Sequence, residues 1–370
     1  MKNYRKAMKL IYLSTSKLHR NRANLIQTLY TVSAISKKNC YIDLYLPPVK
    51  KGIDIDSRLK DIGIEKTFNI FPTQLLHSRW KILNYLPLCL KMKRIQKDYD
   101  NILIRSYYLS KALITFRIPH IFEVHNVEQL ENEGILSLII NAYNNGIIRY
   151  LISISKSASH SLIKKGANPD RISIIPCGVD YKHFSSIPLP QKARFARPRI
   201  MYIGRISNDR GLEIFKGLAQ SGIGKVTLVG DLETPEADVG TTGNLELHPF
   251  VPHRDVIRWY EKCDIVLLPY QPHLTTAKSF SPLKLFEAMA AGRPIIASDL
   301  EPLREIIEDG VTGLLVEPTN LEAWKNALLR LKQDPDLAMS LGQNARQRAR
   351  LYSWENRAEK ILEFISGKNG

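Results

Sequence analysis

Short apolar runs alternate with helix-period stretches along almost the whole chain. In the first half the runs are MKLIYLS, YIDLYLP, DNILIRS, HIFEVHN, YLISIS and RISIIPCG, with a helix expected around Asn24 to Lys37. Runs of this length, rich in Ile, Leu and Val, fit strands of a mostly parallel sheet covered by helices. Near Phe184 the pattern lapses into SSIPLPQKARFARP, a Pro- and Lys-rich stretch that reads as a linker. A second alternation follows: PRIMYIG, a helix from Leu212, KVTLVG, LELHPFV, DIVLLPY and RPIIAS. The expected architecture is α/β, with two Rossmann-like, doubly wound domains over residues 1–185 and 186–353, facing across a cleft. Residues 354–370 begin with an amphipathic helix from Trp354 to Ile365. A length of 370 residues agrees, since a single core stops growing at about 250–300 residues. Ligands of such sheets sit beyond the carboxyl ends of the strands.

The densest pattern is SPLKLFEAMAAGRPIIASDLEPLREIIEDGVTGLLVEP, from Ser281 to Pro318. It reads as helix, strand, helix and a short turn-bounded strand. Ser281 is expected to cap the first helix. Pro282 suits its first turn, where a missing N–H costs nothing, and Leu283 and Lys284 follow. Such a helix start offers free N–H groups and a positive dipole end to a phosphate, and Lys284 adds a full charge. Glu287 comes one to two turns later, and its oxygens can accept from two vicinal ribose hydroxyls. The plainer reading of Glu287 is a solvated helix carboxylate. Gly292 ends the helix, and Pro302 opens the next.

Two further patterns end strands in polar residues. YIGRISNDRGLEIF, from Tyr202 to Phe215, places Gly204 at a strand end and Arg205 and Arg210 on the loop beyond. Two cations at that spacing can meet the two phosphates of a nucleoside diphosphate. FEVHNVE, in the first half, delivers His125 to the end of an apolar strand, where it can donate a hydrogen bond to a ligand hydroxyl or help position a reacting centre; the plainer reading is a structural histidine.

Together these blocks resemble glycosyltransferase family 4, the retaining nucleotide-sugar enzymes of the GT-B fold. RISIIPCGVDYKHF, Arg171 to Phe184, is similar to the family's interdomain signature, with Cys177 in place of the usual asparagine. The resemblance implies catalytic roles for His125, Arg205 and Arg210. It implies donor binding by Gly204, Ser281, Pro282, Leu283, Lys284 and Glu287, and a final helix that returns to the N-terminal domain. It further implies transfer to an acceptor hydroxyl with retained configuration and no metal or other cofactor. The partners expected are a nucleotide-sugar and a sugar or lipid-linked acceptor, in cell-envelope or extracellular polysaccharide synthesis. Three departures stand out: Ser279 where many members carry a first glutamate, Arg210 where they carry lysine, and a first loop, LSTSKLHRNRANL, without glycine.

Charge adds a further expectation. The formal net charge is +17, and residues 1–190 hold 29 Lys/Arg against 13 Asp/Glu, while residues 191–370 hold 24 against 23. A basic half suits an anionic membrane or a phosphate-bearing acceptor. Arg20 and Arg22 in the first loop are acceptor-side candidates. Trp80, Lys91, Lys93, Arg94 and Lys97 are membrane-side candidates, with Leu83, Leu86, Leu88 and Leu90 as inserting residues and Pro87 as an interruption. No zinc-finger spacing or aromatic RNA-binding string points to nucleic acid. No apolar run is long enough to span a bilayer, and four scattered cysteines without a C-x-x-C pair suit a cytoplasmic protein, one able to sit peripherally on the inner face of the cell membrane. Asp54-Ile-Asp56 and Asp98-Tyr-Asp100 spell D-x-D, but neither follows a strand, so no metal is expected. An epimerase on the same fold and a non-catalytic basic binding protein are the alternatives.

Overall fold

In the computed structural model, which describes residues 7–20, 22–76, 85–233 and 243–367, the chain forms two compact α/β units. The first holds the residues up to Pro176 and the helix Trp354–Ile365; the second runs from Cys177 to Ser353.

Seven strands build the first sheet: β1 (Met8–Leu13), β2 (Cys40–Leu46), β3 (Asn69–Pro72), β4 (Asn101–Ile104), β5 (His120–Val124), β6 (Ile148–Ser153) and β7 (Ile172–Ile174). They are parallel, in the order β3-β2-β1-β4-β5-β6-β7. Leu10 to Leu13 of β1 are buried in succession rather than alternately, because helices cover both faces of a central parallel strand. β3 escaped the sequence reading: Asn-Ile-Phe-Pro is mostly exposed and ends in proline, which an edge strand tolerates. The helix Trp354–Ile365 packs on Ala23–Ser36, where the rings of Tyr30 and Trp354 stack at 5.5 Å. Lys38 pairs with Glu359 at 3.6 Å, and Phe364 meets Tyr150 edge to face.

The second sheet has β8 (Arg199–Ile203), β9 (Lys225–Val229), β10 (Leu245–His248), β11 (Ile265–Leu268), β12 (Ile295–Ser298) and β13 (Leu314–Val316). Its parallel order is β10-β9-β8-β11-β12-β13. Both sheets therefore reverse direction of winding once, between β1 and β4 and between β8 and β11. These are the switch points at which open α/β sheets leave a crevice beyond the strand ends.

Three local expectations change. The Pro- and Lys-rich stretch is no free linker, because Ile187 and Phe195 are buried in the second unit. The chain passes between units earlier, at Pro176 to Cys177; Asp180 caps the short helix Tyr181–Ser185, and Phe184 packs on Tyr260. Pro87, expected as an interruption, lies in the first turn of Leu86–Ile95, where it displaces no hydrogen bond. Ser281 caps nothing: its hydroxyl accepts from the Cys177 N–H at 3.1 Å, and Pro282, in extended backbone, precedes the helix Leu283–Ala290.

Candidate functional site

At the switch point of the second sheet, β8 ends and the backbone turns at Gly204, with φ +133°. A Cβ there would stand 2.3 Å from Lys284 Nζ, so the absence of a side chain is what lets the amine lie over the strand end. Lys284 Nζ donates to the Tyr202 hydroxyl at 2.7 Å, and that hydroxyl donates to the Arg205 carbonyl at 2.9 Å. Burial, the neighbouring Arg210 and, less strongly, Arg205 lower the Lys284 pKa to about 7, with Glu287 opposing. The full charge expected from sequence is thus only partly present at neutral pH without a ligand.

The two arginines converge as their spacing suggested. Arg205 Nη1 meets Glu233 Oε1 at 2.7 Å, and Arg210 Nη1 meets Glu233 Oε2 at 3.5 Å and Asp209 Oδ1 at 2.7 Å. Glu233 follows β9, and one carboxylate bridges both guanidinium groups. Gly211, with φ +79°, brings this loop against Pro269 at the end of β11; a Cβ there would lie 2.4 Å from the Pro269 carbonyl oxygen. The result is a concentrated cationic site of Lys284, Arg205 and Arg210, already holding two carboxylates, Glu233 and Asp209.

Glu287, in the helix Leu283–Ala290, is buried rather than solvated. Its Oε1 lies 3.0 Å from His253 Nε2, and its Oε2 accepts from Tyr260 Oη at 3.2 Å. The carboxylate is therefore fixed in orientation, with lone pairs still available on each oxygen. Ser279, one of the three departures from the family pattern, is also buried. Tyr202, Glu233, His253 and Tyr260 escaped the sequence reading because nothing in their spacing connects them to Lys284 or Glu287.

The first sheet's switch point carries its own polar cluster. Glu123, the buried residue before the end of β5, has one oxygen, Oε1, that meets three donors: Arg357 Nη2 at 2.6 Å, Gln27 Nε2 at 2.6 Å and His125 Nε2 at 2.7 Å. Arg105, one residue past β4, donates to Gln27 Oε1 at 2.5 Å and to the Asn24 carbonyl at 3.1 Å. Burial alone would raise the Glu123 pKa, but Arg357, His125 and Arg105 outweigh it and hold the carboxyl well below the usual range. Burial and Arg105 lower the His125 pKa to about 4, against the pull of Glu123. Arg105 had one visible signal, a cation directly after the apolar run NILI. Arg357 had none.

Arg20 and Arg22 are exposed beyond β1. In the helix Leu86–Ile95, Leu88 is buried and unable to insert elsewhere, and Lys91 Nζ lies 4.7 Å from the Tyr45 ring centroid. Leu86, Leu90, Lys93, Arg94 and, just beyond, Lys97 are exposed, while Trp80 and Leu83 lie outside the described residues. Three of the four D-x-D aspartates already have partners: Asp54 caps the helix Ile55–Ile62, Asp56 pairs with Lys66 at 2.8 Å, and Asp100 accepts the Lys9 N–H at 2.7 Å.

Comparison with known proteins agrees with this layout. Residues 28–183 match the family model described as Glycosyltransferase Family 4, and residues 197–334 the one described as Glycosyl transferases group 1. The D-inositol 3-phosphate glycosyltransferase of Xylanimonas cellulosilytica is 27% identical over 240 residues, 58% of this chain and 56% of that protein. The amylovoran biosynthesis glycosyltransferase AmsK of Erwinia amylovora is 30% identical over 195 residues, 50% of this chain and 47% of that one. The chain thus spans about half the length of the curated relatives it matches. Sucrose-phosphate synthase of Thermosynechococcus elongatus shares the fold with a TM-score of 0.77 at 20% identity, over 98% of this chain and 99% of that one. HepE of Anabaena, solved with UDP and glucose, gives 0.74 at 18% identity over 97% and 100%. With one family model on each parallel α/β unit, and GT-B enzymes sharing the fold end to end, the chain belongs to glycosyltransferase family 4.

Proposed function

We propose that this chain transfers a sugar from a nucleoside diphosphate to a hydroxyl of a polysaccharide or glycolipid precursor, with retained configuration and without a divalent metal. One observation carries the reading: Lys284, Arg205 and Arg210 converge beyond β8, where Gly204 leaves the backbone open. In the reaction the bond from the anomeric carbon to the phosphate oxygen breaks. A bond to the acceptor oxygen forms, and the acceptor proton passes to the departing phosphate. The three cations stabilise the charge that grows on that diphosphate, the task a metal ion performs in other sites. Glu287, fixed by His253 and Tyr260, holds the ribose hydroxyls, and Glu233 gives up the arginines to the incoming phosphates. His125 meets a hydroxyl of a reacting sugar. The relatives act on an inositol phosphate and in amylovoran biosynthesis by name, which favours a phosphorylated or polymer-precursor acceptor.

The test is calorimetric titration with UDP, GDP and ADP on the intact chain and on the Arg205→Ala, Arg210→Ala double variant. At least one diphosphate binds the intact chain in the presence of a chelator, and the double variant loses most of that affinity. Binding by none of the three, or binding indifferent to both arginines, refutes the reading.

The acceptor reading extends to a membrane surface. Leu86 and Leu90, 39% and 58% exposed, share a helix face with Lys93, Arg94 and Lys97. Among the described residues no helix is long and apolar enough to cross a bilayer, so contact would be interfacial. Each cation near an anionic surface contributes about 1 kcal/mol. Flotation with phosphatidylglycerol vesicles should fall with salt and with Leu90→Glu; equal flotation of both proteins rejects the membrane contact.

A further inference from the structure

The cluster around Glu123 fixes more than a salt bridge. Glu123 Oε1 already accepts from Arg357 Nη2 and Gln27 Nε2, both at 2.6 Å, and Arg357 and Glu123 are each almost wholly buried. An oxygen gripped by two donors is a carboxylate oxygen, with no proton of its own to give. His125 Nε2 approaches that same oxygen at 2.7 Å. Two bare lone pairs do not sit at that distance, so the proton between them belongs to Nε2. The Gln27 amide cannot reverse the assignment. Its oxygen is held by Arg105 Nη1, which turns its NH2 towards Glu123 Oε1 at 2.6 Å, and its 3.3 Å contact to His125 Nε2 is much longer than the 2.7 Å contact of that nitrogen with Glu123.

We infer that Glu123 and Arg357 are positioning residues that hold His125 as a neutral imidazole protonated at Nε2, leaving Nδ1 as a hydrogen-bond acceptor. This rests on the reading of His125 as a residue that meets a sugar hydroxyl, and it reverses the direction expected from sequence: the hydroxyl donates and the histidine accepts. Arg357 reaches β5 only because the helix Trp354–Ile365 folds onto the first unit, so the C-terminal helix sets the tautomer of a histidine far from it in sequence. The charged groups acting on the ring are Glu123 on β5, Arg105 after β4 and Arg357 on the final helix, and Tyr12 on β1 feels the same three groups. The two arginines oppose a second proton on the ring, and the carboxylate orients the first.

Long-range proton–nitrogen spectra of the ligand-free, histidine-labelled full chain test this directly, with His125→Gln identifying the resonance. The expected signal is a neutral ring protonated at Nε2 from pH 8 down to at least pH 5. Arg357→Lys keeps that pattern. Arg357→Met, where circular dichroism shows it folded, gives mixed tautomers or an imidazolium near pH 6. If Arg357→Met does not fold, the wild-type and Arg357→Lys spectra decide alone. A ring protonated at Nδ1, or charged at pH 7, overturns the inference whatever the enzyme's substrate. A correct tautomer together with unchanged turnover in His125→Gln keeps the positioning pair and refutes instead the sugar-contact role on which its functional meaning rests.

Discussion

Lys284 offers a quantitative test of the proposed phosphate site. Its amine lies against Tyr202 and over Gly204, and burial with Arg210 nearby brings its pKa to about 7. A diphosphate at this position favours the charged amine and should return it towards the ordinary lysine value of about 10.4. At pH 8 the free protein then carries the proton in about one molecule in eleven, and the complex in nearly all, so binding takes up about 0.9 proton. The sign follows: the ligand prefers the protonated form, so affinity rises as pH falls from 9 to 7 and levels off below. From these two values the affinity for UDP drops about fivefold between pH 7 and pH 8 and about fiftyfold by pH 9. UDP itself, with a second phosphate pKa of about 6, contributes little over that range. The assay is titration calorimetry at pH 8 in buffers of different ionisation enthalpy, where the slope of observed heat counts protons. Lys284→Met should remove the uptake while retaining weak binding through Arg205 and Arg210. No proton uptake at pH 8 in the wild type, or the same uptake in Lys284→Met, refutes the assignment of Lys284 to the phosphate.

Glu233→Gln frees both guanidinium groups from a competing carboxylate and should tighten UDP binding by about 0.2–1 kcal/mol, the scale of exposed ion pairs; weaker binding in calorimetry would make Glu233 a ligand-holding group instead. Gly211→Ala and Gly222→Ala both place alanine at positive φ, at a shared strain of about 1 kcal/mol. Only Gly211 faces backbone at 2.4 Å, so Gly211→Ala should show the larger loss in thermal unfolding, and equal losses contradict the packing of this loop on Pro269. Stability should fall with pH between about 6.5 and 4, because the unfolded chain protonates His125 before the folded one does, a contribution of up to about 3 kcal/mol. Denaturant titrations across that range should flatten in His125→Gln, and an unchanged slope would mean that other groups govern the acid limb.

The sequence alone carried the architecture and the cations that cluster beyond β8. Parallel strands buried on both faces leave continuous apolar runs such as LIYL and IVLL, and these give the strand positions directly. Arg205, Arg210, Lys284 and Glu287 were legible because each sits at a short, fixed distance from a strand end or helix start, where local geometry dictates which way a residue faces. β3 was not legible, since an exposed edge strand needs no apolar run.

What the sequence left undetermined depends on side chains that meet only after folding. Ser281 had the chemistry of a cap, but the Cys177 N–H, more than a hundred residues away, claims its hydroxyl. Lys284 reads as an ordinary cation until Tyr202 and Arg210 enclose it. Glu233 looks like a surface acid, and only the close packing of the β8 and β9 loops places it on the two arginines. His125 was visible as a histidine after a strand, but its protonation depends on Glu123, Gln27, Arg105 and Arg357, brought from four separate stretches of chain. Periodicity fixes which face of an element is buried; which polar group meets which inside that burial is decided by long-range packing, and so were the charge on Lys284 and the tautomer of His125.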